Sequence, residues 1–241
     1  MTIDRIYQTR RKNVPPFAFN KAVAHVFDDM IRRSVPMYGE VVRRQAQMAR
    51  QRYQPGTRIY DLGCSNGNLA MALCACMPVG GFEMVAVDSS RPMLAEFEKQ
   101  LTAIGRSGDV SLICDDIRGV EMTRASVVVV NYTLQFIPPP DRDALLQRIH
   151  DALIPGGVLM FSEKIVHPDP SLSTLQVDFY YRFKRENGYS ELEISQKREA
   201  LENVLVPETV DAHQDRLRRC GFNDFDLWMK WFNFCSWICL K

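Results

Sequence analysis

Apolar positions along this chain recur with two different periods. Behind Asn20, which can cap a helix, Val23, Val26, Phe27, Met30 and Ile31 fall on one helical face. Ser34-Val35-Pro36 ends that run, because proline biases its predecessor away from helix. A second helix is expected over about 38–52, before the Pro55-Gly56 turn. From Arg58 onward, short apolar runs alternate with helical stretches. The runs at 58–63, 84–88, 110–114, 126–131 and 158–162 predict strands. The stretches 68–77, from Ser89 or Ser90 to Gly105, and from Pro138 to the Pro155-Gly156-Gly157 turn predict helices. Val127 to Val130 form an unbroken valine run, as suits a central strand covered on both faces.

The alternation stops near residue 165. Two helices are expected next, over about 171–186 and 190–203, and Ser190-Glu191-Leu192-Glu193 fits a capping box for the second. One more helix runs from Pro207 to Gly221. The aromatic and β-branched stretch 225–240 reads as a terminal hairpin. Residues 1–19, polar and then proline-rich at Pro15-Pro16, read as a loosely held arm. The expected fold class is α/β: a doubly wound, mostly parallel seven-stranded sheet with an antiparallel C-terminal hairpin. It forms one domain over 1–241, with an N-terminal arm and helices at 1–55 and a helical insertion at 165–205.

Composition narrows this little. In 241 residues, lysine plus arginine total 30 and aspartate plus glutamate 29, for a net charge of +1. That balance argues against a strongly basic nucleic-acid surface and against an acidic disordered chain. Seven cysteines without a Cys-x-x-Cys pair offer neither a zinc ribbon nor a thioredoxin site, so no metal is expected. The first 20 residues lack the apolar core of a signal peptide, and no apolar run approaches the roughly 20 residues of a membrane span. The expectation is a reduced, cytoplasmic protein with no membrane partner.

The chemistry lies in Asp61-Leu62-Gly63-Cys64-Ser65-Asn66-Gly67, between a strand and a helix. Glycine there lets the backbone turn tightly and approach a ligand. Asp88 ends the second strand, where a carboxylate can accept from both hydroxyls of a ribose. Asp115-Asp116 follows the third strand, where an adenine edge would lie. Two cofactors suit such a crevice. A dinucleotide wants glycine at 65 and glycine or alanine at 68, but Ser65 and Asn68 stand there. S-adenosylmethionine has no phosphate, and the terminal hairpin suits a methyltransferase sheet, so it is the better fit.

The residues then resemble something narrower. Asp-Leu-Gly-Cys-Ser at 61–65, Asn-Tyr-Thr-Leu-Gln-Phe at 131–136, Ser-Glu-Lys at 162–164 and Asn-Gly-Tyr-Ser-Glu-Leu-Glu-Ile-Ser-Gln-Lys-Arg at 187–198 resemble the carboxy-S-adenosylmethionine synthase family. Phe27 to Tyr38 matches as well, and the resemblance runs from about residue 17 to the end. It implies addition of a carboxyl group to the sulfonium methyl of S-adenosylmethionine, with prephenate as donor and phenylpyruvate and water as by-products. It implies a homodimer, and a separate tRNA carboxymethyltransferase that uses the product on a wobble uridine. The implied cofactor site is Tyr38, Gly63, Cys64, Ser65, Asp88, Ser89, Asp116, Ile117, Asn131 and Arg198. Ser89 departs from the asparagine frequent in the family, which preserves a backbone contact but not a side-chain amide.

Arg198 is the candidate catalytic residue. At an assumed 5 Å and an effective dielectric near 20, a guanidinium and a sulfonium repel by roughly 3 kcal/mol. A carboxylate placed between them reverses the sign and can accept a bidentate pair, so arginine there would select carboxymethyl over methyl. Prephenate, a dianion, calls for further cations. Arg32, Arg33, Lys164, Arg182, Lys184 and Arg185 are candidates, with Arg33 and Lys164 foremost because they lie in the resembling segments. The expected reaction sheds carbon dioxide and hydroxide from prephenate, takes a proton from the sulfonium methyl and lets the ylide capture the carbon dioxide. That sequence needs a site closed to water, and the insertion at 165–205 is the expected lid. No histidine constellation is found. The alternatives are a conventional small-molecule methyltransferase, a non-catalytic S-adenosylmethionine sensor and a direct tRNA modifier.

Overall fold

A computed structural model describes residues 2–241. The chain enters through α1 (Lys21–Ser34) and α2 (Tyr38–Arg52). Asn20 caps α1 by accepting from the Val23 N–H. The alternating segment then gives β1 (Arg58–Leu62), α3 (Asn68–Cys76), β2 (Met84–Val87), α4 (Arg91–Ala103), β3 (Val110–Ile113) and β4 (Ala125–Asn131). It continues through α5 (Pro139–Ala152), β5 (Leu153–Lys164), α6 (Pro170–Glu186), α7 (Glu191–Leu201) and α8 (Val210–Arg219), and ends in β6 (Asp224–Trp231) and β7 (Phe234–Leu240).

The seven strands form one sheet in the order β3-β2-β1-β4-β5-β7-β6. Neighbours from β3 to β5 are parallel, and β7 is antiparallel to β5 and to β6. The valines of β4 feed both faces. Val127 and Val129 pack with Ile59, Met160, Leu69 and Phe97 under α2, α3 and α4. Val128 and Val130 pack with Leu62, Phe161, Leu145 and Leu217 under α5 and α8. Strand order reverses between β1 and β4, which opens a crevice at their C-terminal ends.

Three details depart from the periodicity. β5 begins at Leu153, directly after α5, because a register shift lets the Pro155-Gly156-Gly157 turn bulge within the strand. α8 begins at Val210 rather than Pro207. Thr209 caps it by accepting from Ala212 N–H, while Glu208 forms an isolated parallel bridge with Ile165, just beyond the end of β5. The arm is not loose. Asp4 and Tyr7 are buried, and Gln196 of α7 donates to the Tyr7 and Thr9 carbonyls at 2.8 and 3.0 Å. The Phe17 N–H donates to the Ala200 carbonyl at 2.8 Å. The arm is therefore strapped to the insertion it precedes by some 180 residues. The seven cysteines are free thiols. Among the described residues, no helix is long and apolar enough to cross a membrane, and no group of three metal-ligating side chains is found.

Candidate active site

The crevice holds a cavity of about 390 Å³. Its floor is the turn from β1 into α3. Gly63 has φ +84°, and a Cβ there would stand 2.1 Å from Thr133 Oγ1. Gly67, at φ +88°, would press a Cβ to 2.2 Å from the Phe97 ring. Both positions thus require glycine for conformation and for space. The Gly63 and Cys64 N–H groups donate to the Val87 carbonyl at 2.8 and 3.0 Å, which docks the turn on β2.

Asp88 ties two loops together. Its Oδ2 accepts from the Ser65 N–H at 2.9 Å and its Oδ1 from the Ser90 N–H at 2.8 Å. Each oxygen keeps a lone pair for a further donor from the cavity. Burial pushes its pKa up, against the pull of the two N–H donors. Asp61 lies deeper, at 3% exposure, and lines the same cavity. Burial and the neighbouring Asp88 carboxylate raise its pKa to about 8. Among the described residues its carboxylate has no hydrogen-bond or ion-pair partner, so the site lacks the cation that would hold it ionised.

On the opposite wall, Glu163 shapes the turn after β4. It accepts from the N–H groups of Thr133, Leu134 and Gln135 at 3.2, 2.8 and 2.9 Å. Those bonds hold Tyr132 at φ +52° and set its ring 6.0 Å from that of Tyr38. Asn131 exchanges two hydrogen bonds with buried Gln45, at 2.6 and 2.9 Å, so its amide is fixed. Tyr38 accepts from Asn68 Nδ2 at 3.2 Å, and burial raises its phenol pKa far above the ordinary range. Burial likewise raises the Cys64 thiol well above its ordinary pKa, which disfavours the thiolate. At the rim, Asp116 is gripped by Arg118, which lowers its pKa, and Ile117 presents an apolar surface beside it.

Nine of the ten sequence-derived cofactor residues line this one cavity: Tyr38, Gly63, Cys64, Ser65, Asp88, Ser89, Asp116, Ile117 and Asn131. The tenth, Arg198, does not. It stands exposed on α7, outside the cavity of its own chain. Arg33 is also outside, stacked 3.9 Å from the Tyr189 ring centroid and donating to Asp29 at 3.0 Å. Lys164 does line the cavity. Among the lining residues that sequence reasoning did not assign to the site are Asp61 and Lys197. Lys197 is 6% exposed and donates from Nζ to Ser34 Oγ at 2.9 Å. Among the described residues no histidine lines the cavity; His213 sits in the core between Phe161 and Trp237.

Sequence comparison places this geometry. The family described as "Methyltransferase domain" matches residues 59–157, the span from β1 into β5. A carboxy-S-adenosyl-L-methionine synthase of Desulforapulum autotrophicum is 51% identical over 241 residues, covering 100% of this chain and 98% of that one. The chain belongs to the carboxy-S-adenosyl-L-methionine synthase family. A second member, from Shewanella denitrificans, is 43% identical over 238 residues, at 99% and 98% coverage. Among solved structures, an O-methyltransferase family protein of Burkholderia thailandensis superposes with a TM-score of 0.67 at 17% identity, covering 95% of this chain and 65% of that chain. That likeness concerns the fold. Membership in the synthase family makes S-adenosylmethionine the substrate, and this cavity is the candidate site for it. The residues fit it: Asp61 is an unpartnered buried carboxylate suited to an ammonium, and Asp88 has spare acceptor capacity for a ribose.

Proposed function

We propose that this member of the carboxy-S-adenosyl-L-methionine synthase family uses prephenate as carboxyl donor, releasing phenylpyruvate and water. The observation that carries this reading is the joint presence of Asp61 and Asp88 with Lys164 and Lys197 around one cavity. A simple methyl-transfer pocket gains nothing from ammonium groups facing a sulfonium. A carboxylated substrate and a carboxylated product both need them. Bound S-adenosylmethionine supplies the methyl carbon that receives the carboxyl group.

The residues of the chain then divide the work. Asp61 meets the ammonium of the methionine tail, and Asp88 accepts from the ribose hydroxyls. Ile117 supports the adenine. The insertion helices α6 and α7, strapped by the arm, keep water from the reacting carbon, and Phe17 and Phe19 of the arm line the same cavity. Arg198 serves the carboxylate of the product across a dimer interface. Its exposure in a single chain supports this, as does the exposed apolar row Leu172, Leu175 and Phe179 on α6, which suits burial against a second copy. The homodimer works in the cytoplasm, where seven free thiols are at home, and contacts no nucleic acid. Its product passes to a separate tRNA carboxymethyltransferase that modifies a wobble uridine. Incubation with S-adenosylmethionine and prephenate tests the assignment, which requires a cofactor heavier by one carboxyl group. S-adenosylhomocysteine as the only product would contradict it.

Asp61 gives a pH signature. With its pKa raised to about 8, it is mostly protonated in the empty site at pH 7. An ammonium beside it favours the ionised form, so binding S-adenosylmethionine releases a proton. Affinity therefore rises as pH climbs from 6 towards 8 and then levels. Calorimetry in buffers of different ionisation enthalpy should register that release at pH 7. Asp61→Asn should abolish it and flatten the pH dependence; an unchanged proton release in the variant would exclude Asp61 as the partner.

A further inference from the structure

Four cations gather where the arm, α1, β5, α6 and α7 meet. Lys164 ends β5, Lys184 lies in α6, Lys197 in α7 and Arg33 in α1. Two carboxylates answer them, and both are already committed. Asp29 Oδ2 accepts from Arg33 Nη1 at 3.0 Å and from the Asp4 N–H at 2.7 Å. Asp4 accepts from the Tyr189 hydroxyl at 2.6 Å and from the Ile6 N–H at 3.1 Å. Among the described residues none of the three lysines has an ion-pair partner. Lys164 and Lys184 both sit on the Tyr180 ring, with Nζ 5.0 and 4.5 Å from its centroid. Lys197 donates to the neutral Ser34 hydroxyl and lies 5.7 Å from the Tyr189 ring centroid.

This arrangement is unfavourable in the empty protein. Lys184 and Lys197 are 3% and 6% exposed, and burial disfavours their charged forms. Burial, Lys184 and Arg33 lower the Lys197 pKa to about 7, with Asp4 opposing. Lys184 falls to about 8, and Lys164 is lowered as well. A fold that collects like charges without partners leaves a deficit that a ligand can fill. The deficit faces the cavity: Lys164, Lys197, Ser34 and Tyr180 all line it, and Lys184 backs Tyr180. Neutral ligands would leave the repulsion standing, and a monoanion would relieve part of it.

We infer that Lys164 and Lys197, backed by Lys184, form a dicarboxylate subsite that takes both carboxylates of the second substrate. The identity of that dianion as prephenate rests on the reading proposed above; its charge rests on the lysines. The subsite also gives turnover a direction. The reaction transfers one carboxyl group to the methyl carbon, so the remaining acid, phenylpyruvate, is a monoanion with a weaker hold on two ammonium groups.

The test uses the 241-residue chain with S-adenosylmethionine and prephenate. Lys164→Met and Lys197→Met should each raise KM for prephenate by about tenfold or more, as expected for loss of a charge-assisted hydrogen bond. Affinity for S-adenosylmethionine, measured alone, should stay at the wild-type value, which also shows that the variants fold. Phenylpyruvate should inhibit the wild type with a far weaker constant than the KM for prephenate, and the gap should narrow in the variants. A second readout separates binding from mere structure. At pH 8 Lys197 is largely neutral, so prephenate binding to the protein loaded with S-adenosylhomocysteine should take up protons. The facing groups, Arg33 and Ser34 of α1, Lys184 of α6, Asp4 of the arm and Tyr189, stay in place throughout. Lys197→Met should lose most of that uptake, and Lys197→Arg, always charged, should lose the uptake while largely keeping KM. An unchanged KM in both methionine variants, or wild-type proton uptake in Lys197→Met, would overturn the subsite while carboxylated product from the wild type left the function standing. No carboxylated product from the wild type would overturn the function on which the prephenate assignment rests.

Discussion

Arg198→Ala should bind carboxy-S-adenosylmethionine about 30-fold or more weakly than the wild type, with affinity for S-adenosylmethionine nearly unchanged. The asymmetry follows from what each ligand offers the guanidinium. A carboxylate in a closed site accepts a bidentate pair, and truncating one member of such a pair costs roughly 2–5 kcal/mol. A bare methyl offers nothing, and its sulfonium repels. Equal losses for both ligands in a titration would remove Arg198 from the site. Its position on the exposed side of α7 adds a sharper form of the test. Mixed dimers that combine Arg198→Ala in one copy with a cofactor-site variant in the other should recover activity in one of their two sites. Mixing that restores nothing would contradict service across the interface.

The matching cofactor-site variant is Asp88→Ala, for which both ligands should lose affinity alike, by about 100-fold. Asp88 is expected to accept from two ribose hydroxyls common to both. Charge-assisted bonds of this kind contribute roughly 1.5–3 kcal/mol each. The substitution also frees the Ser65 and Ser90 N–H groups, which it now accepts at 2.9 and 2.8 Å. The turn at Gly63 then loses one of its ties to β2, so thermal stability should fall as well. Asp88→Asn should recover part of the binding, since its amide oxygen replaces one acceptor. Calorimetric titration with each ligand checks the prediction. Loss confined to one of the two ligands would mean that Asp88 does not serve the shared ribose.

The fold and the floor of the site were legible in the sequence because both are written locally. The valine run of β4 declares a strand covered on both faces, and Asn20, Ser90 and Ser190 cap the helices that follow them. Gly63 and Asp88 could be read from strand ends and turn chemistry. What escaped depends on contacts far apart in the chain. The arm reads as loose on composition, yet Gln196 and Ala200 supply hydrogen bonds to it across more than 180 residues. Asp61 reads as part of a turn motif, and its burial beside the Asp88 carboxylate emerges only in the folded chain. Lys197 and Arg198 are adjacent, but successive residues of a helix point about 100° apart. Ile194, Lys197 and Ala200 share the buried face at three-residue spacing, and Arg198 falls outside it. A lysine in that apolar row was the signal available, and the resemblance drew attention to its neighbour instead.

In the proposed reaction a carboxyl group moves from prephenate onto the methyl carbon of S-adenosylmethionine within this cavity. Carbon-13 in the ring carboxyl of prephenate follows that group directly. In buffer containing unlabelled bicarbonate, mass spectrometry of the carboxylated product should find the label retained in nearly every molecule, because the closed site keeps the carbon from exchanging. Product carrying unlabelled carboxyl groups from the buffer, or no carboxylated product at all, would contradict the account.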